Sequence, residues 1–468
     1  MALLVDRLRE LEVTTRPEHP DLTEALQRRW AELPEGVRGP GQILGRRMGG
    51  CEGTHGVFPR CNLACTPCYH AREANRVRTD GEHTVREVGA QMKLLRRLRG
   101  PGQNAQLIGG EVTLLEPDDH AATLQAMIDH GRKPMSMSHG DFDYDYLEAL
   151  ALDPATGQPR FSQLSFAGHF DSLMHGRRGI KRPESEAALN PYRARFCEHF
   201  RRLEREHGVG HYLAHNMTIT RANVDAIPQV IRDCRDMGFR MFSFQPAAFV
   251  GNSARWKDDY RALEHDEIWE RIEQGAGARL PFRAYQIGDW RCNRTVHGIS
   301  SGGRFAPLLD DGDERDAAVL EDFLDAFGGM DFADGPPALV AARAARALAR
   351  RPRLVPRGAG WARRLVDRAG GLRALRAQPP SAMAFVMHSF MHADDVKPAW
   401  ELMQRGETAE DPAVRATQER LQACSYAMAH PDSGELVPAC AQHSVLDPDE
   451  NLRLRDELPL MELPMAPV

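Results

Sequence analysis

The chain has 468 residues, 42% of them hydrophobic and 27% charged, with a net charge of −6 at neutral pH. This length allows one large domain plus an additional one, the apolar share suits a packed core, and the mild acidity gives no general case for binding nucleic acid. No run of ~18 apolar residues occurs, the start MALLVDRLRELEV is broken by charge unlike a secretory signal, and nine cysteines in so long a chain suit a reducing cytoplasm.

Residues 1–50 read as an N-terminal extension of a helix or two, ending in the Gly/Pro-rich GVRGPGQILGRR. The stretch from 51 to 75, CEGTHGVFPRCNLACTPCYHAREAN, carries an extended run at 54–58, then Cys61, Cys65 and Cys68, then a helix-like run. Three thiolates in C-x3-C-x2-C spacing can hold three corners of a cubane iron–sulfur cluster. The fourth iron is then open to a small chelating molecule. The alternative is a structural zinc site, with His70 as the local fourth ligand.

From 51 to 250 strands and helices alternate. Strands are predicted at 106–111, 133–139, 161–168, 212–220 and 239–249, and helices at 118–130, 144–151, 191–207 and 224–237. Such alternation predicts a parallel sheet with helices outside it, and chemistry at the C-terminal strand ends. After the third strand, His139, Asp141 and Asp143 are read as a polar rim, and His169 and Asp171 after the fourth likewise. Cys197 and Cys234 fall in helical patterns and read as small buried apolar residues.

The cysteine loop, followed about 40 residues later by GGEVTLL at 109–115, resembles the radical S-adenosylmethionine (radical SAM) superfamily. The resemblance implies a partial (β/α)6 barrel over 51–250, a 4Fe–4S cluster on Cys61, Cys65 and Cys68, and reductive cleavage of SAM to a 5′-deoxyadenosyl radical. Gly109, Gly110 and Glu111 would meet the methionyl ammonium. The segment LSFAGHFDSLMHGRRG implies that Ser165 meets the ribose, with Asn216 and Thr218 lining the same pocket. Val112 stands where the superfamily usually has Pro, and Pro67 where an aromatic or apolar residue is common.

Past 250 come FQPAAFVGN, DWRCNRTVHG, MHSFMHADDV and ACSYAMAHPDSGELVPACAQH, similar to a narrower group that includes tetraether lipid synthase. This resemblance implies a linker and cavity-closing region at 251–340 and a C-terminal, mainly helical domain at 381–468. It also implies a second cluster on Cys292, Cys424 and Cys440, with Cys51 or His297 as the fourth ligand. The implied substrate is organic, in the first instance a lipid chain undergoing C–C bond formation. A peptide or small molecule modified by a SPASM/twitch-type enzyme, a radical methyltransferase, and a non-catalytic metal scaffold are the alternatives. A flavodoxin, ferredoxin or reductase would supply the electron.

Residues 341–377 hold eleven arginines against one aspartate, a local charge of +10 that leaves −16 on the rest. Within the basic segment 341–380 they read as a broken amphipathic helix, either a connector paired with acidic helices or a peripheral contact with an anionic membrane. The preceding DDGDERD at 310–316 reads as a solvated loop.

Overall fold

The computed structural model describes residues 5, 7, 15–17, 19–69, 76–251, 253, 256–330, 332 and 336–461. The strands are β1 (Cys51–Gly53), β2 (Ala64–Cys65), β3 (Gln103–Leu107), β4 (Arg132–Ser138), β5 (Gln163–His169), β6 (Met174–His175) and β7 (Gly210–Ile219). They continue with β8 (Met241–Pro246), β9 (Asn293–Ser301), β10 (Arg304–Pro307), β11 (Ser381–His388), β12 (Tyr426–His430) and β13 (Glu435–Pro438). Eleven of these form one sheet in the order β10-β9-β11-β8-β7-β5-β4-β3-β1-β12-β13.

Its centre is the expected series of six parallel strands, β1, β3, β4, β5, β7 and β8. Helices return the chain between them, and their local chemistry is readable. The helix Gly81–Arg99 starts where Asp80 accepts from the His83 amide and stops at Gly100, whose φ is 71°. Val88, Met92 and Leu95, spaced four and three apart, face the sheet and are buried. Over β5, β7 and β8 the core is aromatic: Phe166, Phe196 and Phe200 pack with ring centroids 5.0 to 5.1 Å apart.

Three expectations are refined. The first strand begins at Cys51 and ends at Gly53, so the extended run at 54–58 is not part of it. Past Gly53 the Thr54 hydroxyl bonds the Ile108 amide and carbonyl, both at 2.8 Å, so a side chain replaces the ladder there. The described residues from 381 to 461 are rich in helix but are not separate from the central sheet. Here β11 pairs in parallel with β8, and β12 in parallel with β1, so this region extends both flanks of the central sheet. The stretch 310–316 is an exposed turn in its first half only, because a helix begins at Glu314. Asp313 caps the helix Glu314–Phe327, and Asp316 is fully buried against Arg364 and Arg368.

The basic segment forms the helices Pro337–Arg350, Leu354–Arg368 and Gly371–Ala377. Arg351 and Arg357 reach Asp325 and Asp322 of the helix Glu314–Phe327. The acid–base contrast in the sequence is thus resolved within the molecule at these positions. Cys197 and Cys234 are fully buried, and burial pushes the Cys234 thiol up to about 12.

His120 is completely buried between Tyr146 Oη and Ser136 Oγ, each at 2.9 Å, and burial lowers its pKa to about 4. The unfolded chain therefore takes up a proton near pH 6.5, while the folded one resists until about pH 4. Stability attributable to this residue is whole above pH 6.5 and is lost as pH falls towards 4. Between pH 7 and pH 5 the loss should be about 2 kcal/mol. Unfolding free energies from denaturant titrations at the two pH values should differ less, by about that amount, in His120→Asn.

Candidate active-site cavity

A cavity of about 340 Å³ opens at the C-terminal ends of the parallel strands. Cys61, Cys65 and Cys68 line one side of it. Their loop is held from several directions. Ala64 and Cys65 pair antiparallel with His175 and Met174, joining β2 to β6. The Thr66 amide donates to the Leu173 carbonyl at 3.1 Å. Asn62 Oδ1 lies 2.6 Å from His139 Nε2. His70, the candidate local zinc ligand, lies outside the described residues, as does the run expected to be helical after it.

Gly109, Gly110 and Glu111 also line the cavity. The Gly110 amide donates to the Phe58 carbonyl and the Glu111 amide to the Arg60 carbonyl, both at 2.8 Å. A Cβ on Gly110 would overlap the Arg60 carbonyl, and one on Gly109 would meet the Phe58 ring. The glycines are therefore needed where the chain entering the cysteine loop crosses the end of β3. In Gly110→Ala, residues 58–60 must shift, and any iron that anaerobic reconstitution places on the cysteine loop should fall below half of the parent chain's after desalting. Full retention, measured by iron assay, would contradict this packing.

Glu111 is occupied by the protein itself. Its Oε1 accepts from Ser138 Oγ at 2.8 Å and from the Thr113 amide and hydroxyl at 3.0 and 2.6 Å. Its Oε2 accepts from the His139 amide at 2.8 Å. The carboxylate thus ties the end of β3 to the end of β4. His139 Nδ1 accepts from the Asp141 amide at 3.0 Å, and burial lowers its pKa, so Nε2 carries the proton towards Asn62.

Across the cavity stand Asn216, Thr218 and His169, from neighbouring β7 and β5. His169 Nε2 lies 2.7 Å from Asp171 Oδ2 and 3.2 Å from Thr218 Oγ1. Ser165 is not among the cavity residues. It shares a face of β5 with His169 but lies four residues, roughly 13 Å, towards the other end of the strand. Of the expected polar rim, His139 and His169 reach the cavity. Asp141 instead binds Arg178 and Arg195, and Asp171 accepts the Leu173 and Thr218 amides.

On the far wall the structure brings Cys51, Cys292, Cys424 and Cys440 to the same cavity. Register explains part of this, since Cys51 pairs with Tyr426, two residues beyond Cys424. Arg420 Nε donates to Cys292 Sγ at 3.2 Å, and the Met391 amide to Cys440 Sγ at 3.3 Å. These thiols face the cavity rather than bulk solvent. Burial pushes Cys51 and Cys292 each up to about 11, with the neighbouring Cys424 adding to both. Ionising several thiols together here calls for a compensating cation, which is the chemistry of a metal-cluster site. His297 does not join them. It lies five residues past Cys292 along β9, roughly 16 Å away, exposed and bonded to Tyr285 Oη.

Between the two cysteine groups the wall is largely apolar, with Met135, Met137, Met174, Met241, Met391 and Phe390. The alternating methionines of KPMSMSH were visible in the sequence as one strand face. Arg420, on the helix Pro412–Gln422, carried no such signal.

No family profile matches the chain, and no curated protein matches it. Solved structures show partial likeness. The crystal structure of Streptococcus suis SuiB is 15% identical, with a TM-score of 0.30, over 45% of this chain and 41% of that one. SuiB bound to S-adenosylmethionine is 16% identical, with a TM-score of 0.31, over 45% and 43%. Native anSMEcpe with bound AdoMet and Cp18Cys peptide is 12% identical, with a TM-score of 0.30, over 47% and 57%. The matched part is about two fifths of the SuiB chain's length.

Proposed function

We propose that this protein is a radical SAM enzyme acting on an apolar chain. The observation that carries the reading is the placement of Cys61, Cys65 and Cys68 beside the Gly109–Gly110 turn on a cavity that continues beyond them. The three thiols would hold a 4Fe–4S cluster, with the fourth iron facing the cavity. When bound, that cluster supplies the electron that cleaves SAM to methionine and a 5′-deoxyadenosyl radical, which abstracts hydrogen from a C–H bond.

The chain's own residues prepare the site. The Gly109–Gly110 turn and the Glu111 carboxylate fix the floor beside the cysteine loop. Asn216, Thr218 and His169 offer polar groups to the nucleoside. The methionines give an adaptable apolar wall, which suits a lipid chain and C–C bond formation more than a charged substrate. Cys51, Cys292, Cys424 and Cys440 would hold a second cluster. A flavodoxin, ferredoxin or reductase would provide the electron.

Anaerobic reconstitution with iron and sulfide, then dithionite and SAM, should yield 5′-deoxyadenosine, with turnover raised by lipid extract. About eight irons per chain support the second cluster and about four exclude it. A colourless protein with tetrahedral zinc at Cys61, Cys65 and Cys68 overturns the enzyme reading; stimulation by peptide instead of lipid overturns the substrate. The arginines paired with Asp316, Asp322 and Asp325 favour the connector role for the basic helices. Equal flotation with anionic and neutral liposomes is the result expected of that role.

A further inference from the structure

Beside the main cavity lies a pocket of about 20 Å³ that shares Tyr69, Ile108, Gly109 and His443 with it. His55, two residues past β1, lines this pocket. Next to it stand His430, the last residue of β12, and Glu450 on the helix Asp447–Glu457. One ligand-capable atom from each of the three lies within 4.8 Å of the others. His55 Nδ1 is 3.0 Å from Glu450 Oε2, and His430 Nδ1 is 3.8 Å from Glu450 Oε1. The two imidazoles stack, with centroids 3.9 Å apart and planes at 21°.

The far side of each imidazole is already committed. His55 Nε2 faces the Ala429 carbonyl at 2.8 Å, and His430 Nε2 faces Gln442 Oε1 at 2.6 Å. Both acceptors take an N–H, which leaves each Nδ1 lone pair turned towards Glu450. Gln442 Nε2 donates to Glu450 Oε2 at 3.0 Å and to Asp447 Oδ1 at 2.8 Å, so the carboxylate is itself oriented. Anchoring of the outer nitrogens and of the carboxylate is the usual support around metal ligands.

Three acceptor atoms thus converge. A proton bridges two of them, whereas a metal ion satisfies all three. Ligands about 2.1 Å from a tetrahedral ion are about 3.4 Å apart, which lies between the 3.0 Å and 3.8 Å separations of the two imidazoles from Glu450. Closing the set around one ion takes side-chain movements on the order of an ångström. Two imidazoles and a carboxylate form a borderline donor set, suited to zinc or ferrous iron rather than to calcium or magnesium. A second group, Glu148, Glu206 and His207, lacks this arrangement because Arg202 and Tyr144 already occupy Glu206.

We propose that His55, His430 and Glu450 bind one divalent transition-metal ion, separate from any iron–sulfur cluster. The ion fastens the C-terminal helix to β1 and β12 and braces the wall shared with Tyr69 and Gly109. The site stands or falls independently of the enzyme reading.

The test uses the full-length chain, loaded anaerobically with iron and sulfide, stripped of loose metal by a chelating column and dialysed against zinc. One zinc per chain should be retained, and zinc-edge X-ray absorption should show a nitrogen–oxygen shell with imidazole scattering. His430→Gln and Glu450→Gln should each weaken retention at least ~10-fold. The wild-type spectrum decides the matter even where a variant fails to fold. No retained zinc, zinc bound by sulfur alone, or undiminished retention in both variants overturns the proposal.

Discussion

Cys65→Ala protein, reconstituted anaerobically, should lose most of the iron held at its cysteine loop and form 5′-deoxyadenosine at least ~10³-fold more slowly than the parent chain, a barrier increase of roughly 4 kcal/mol. Cys65 sits in the short ladder between β2 and β6, paired by its backbone with Met174. Exchange of its side chain leaves those backbone bonds in place, so the loop keeps its course while one thiolate is lost. Two cysteines do not hold a cubane in place against solvent. Cys197→Ala is the matched control, because that thiol is buried in the helix Asn190–His207 away from the cavity. It should keep its iron and its turnover. Undiminished 5′-deoxyadenosine from Cys65→Ala would remove the catalytic role of the loop altogether.

Arg132→Met should be among the most destabilising single substitutions in the molecule, by about 3–5 kcal/mol. Arg132 and Glu52 are both completely buried. They meet through two parallel bonds, Nε to Oε2 at 2.9 Å and Nη2 to Oε1 at 3.1 Å, and Arg132 Nη1 also donates to the Gly100 carbonyl at 2.7 Å. Removal of the guanidinium strands a carboxylate inside the sheet, next to Cys51. The double variant Glu52→Leu/Arg132→Met strands no charge, although the Gly100 carbonyl still loses its donor, and should be more stable than Arg132→Met alone. Denaturant unfolding of the four proteins in this cycle measures the coupling directly. A double variant no better than the single one would show that the loss in Arg132→Met does not come from a stranded carboxylate.

The central sheet was legible because its signals are local. Apolar runs bounded by turn residues gave the strands, and helical periodicity gave the returns between them. The helix Tyr144–Ala151 falls on its expected bounds. The flanking strands were not legible. The pairing of β12 with β1 joins Cys51 to Tyr426, and nothing within either short segment announces the other. The cysteines on the far wall were found as a set through family resemblance, whereas the choice between Cys51 and His297 needed the register of β1 and the course of β9. Glu111 shows a different limit. Its type and position suggested a ligand contact, yet four donors from Thr113, Ser138 and His139 already occupy it. Ser165 lies outside the cavity by its depth along β5, a coordinate that residue identity does not encode.

The adjacency of β1 and β12 also bears on how the molecule comes to be made. A ribosome delivers Cys51 and the loop at 61–68 well before the strand that covers that side of β1, which contains Tyr426. Until then β1 is an open sheet edge, vulnerable to pairing with other chains. The nascent molecule therefore passes through a stage in which its first cysteines are accessible from a flank later sealed. Growth at lower temperature, which slows aggregation of such edges, should raise the yield of folded protein.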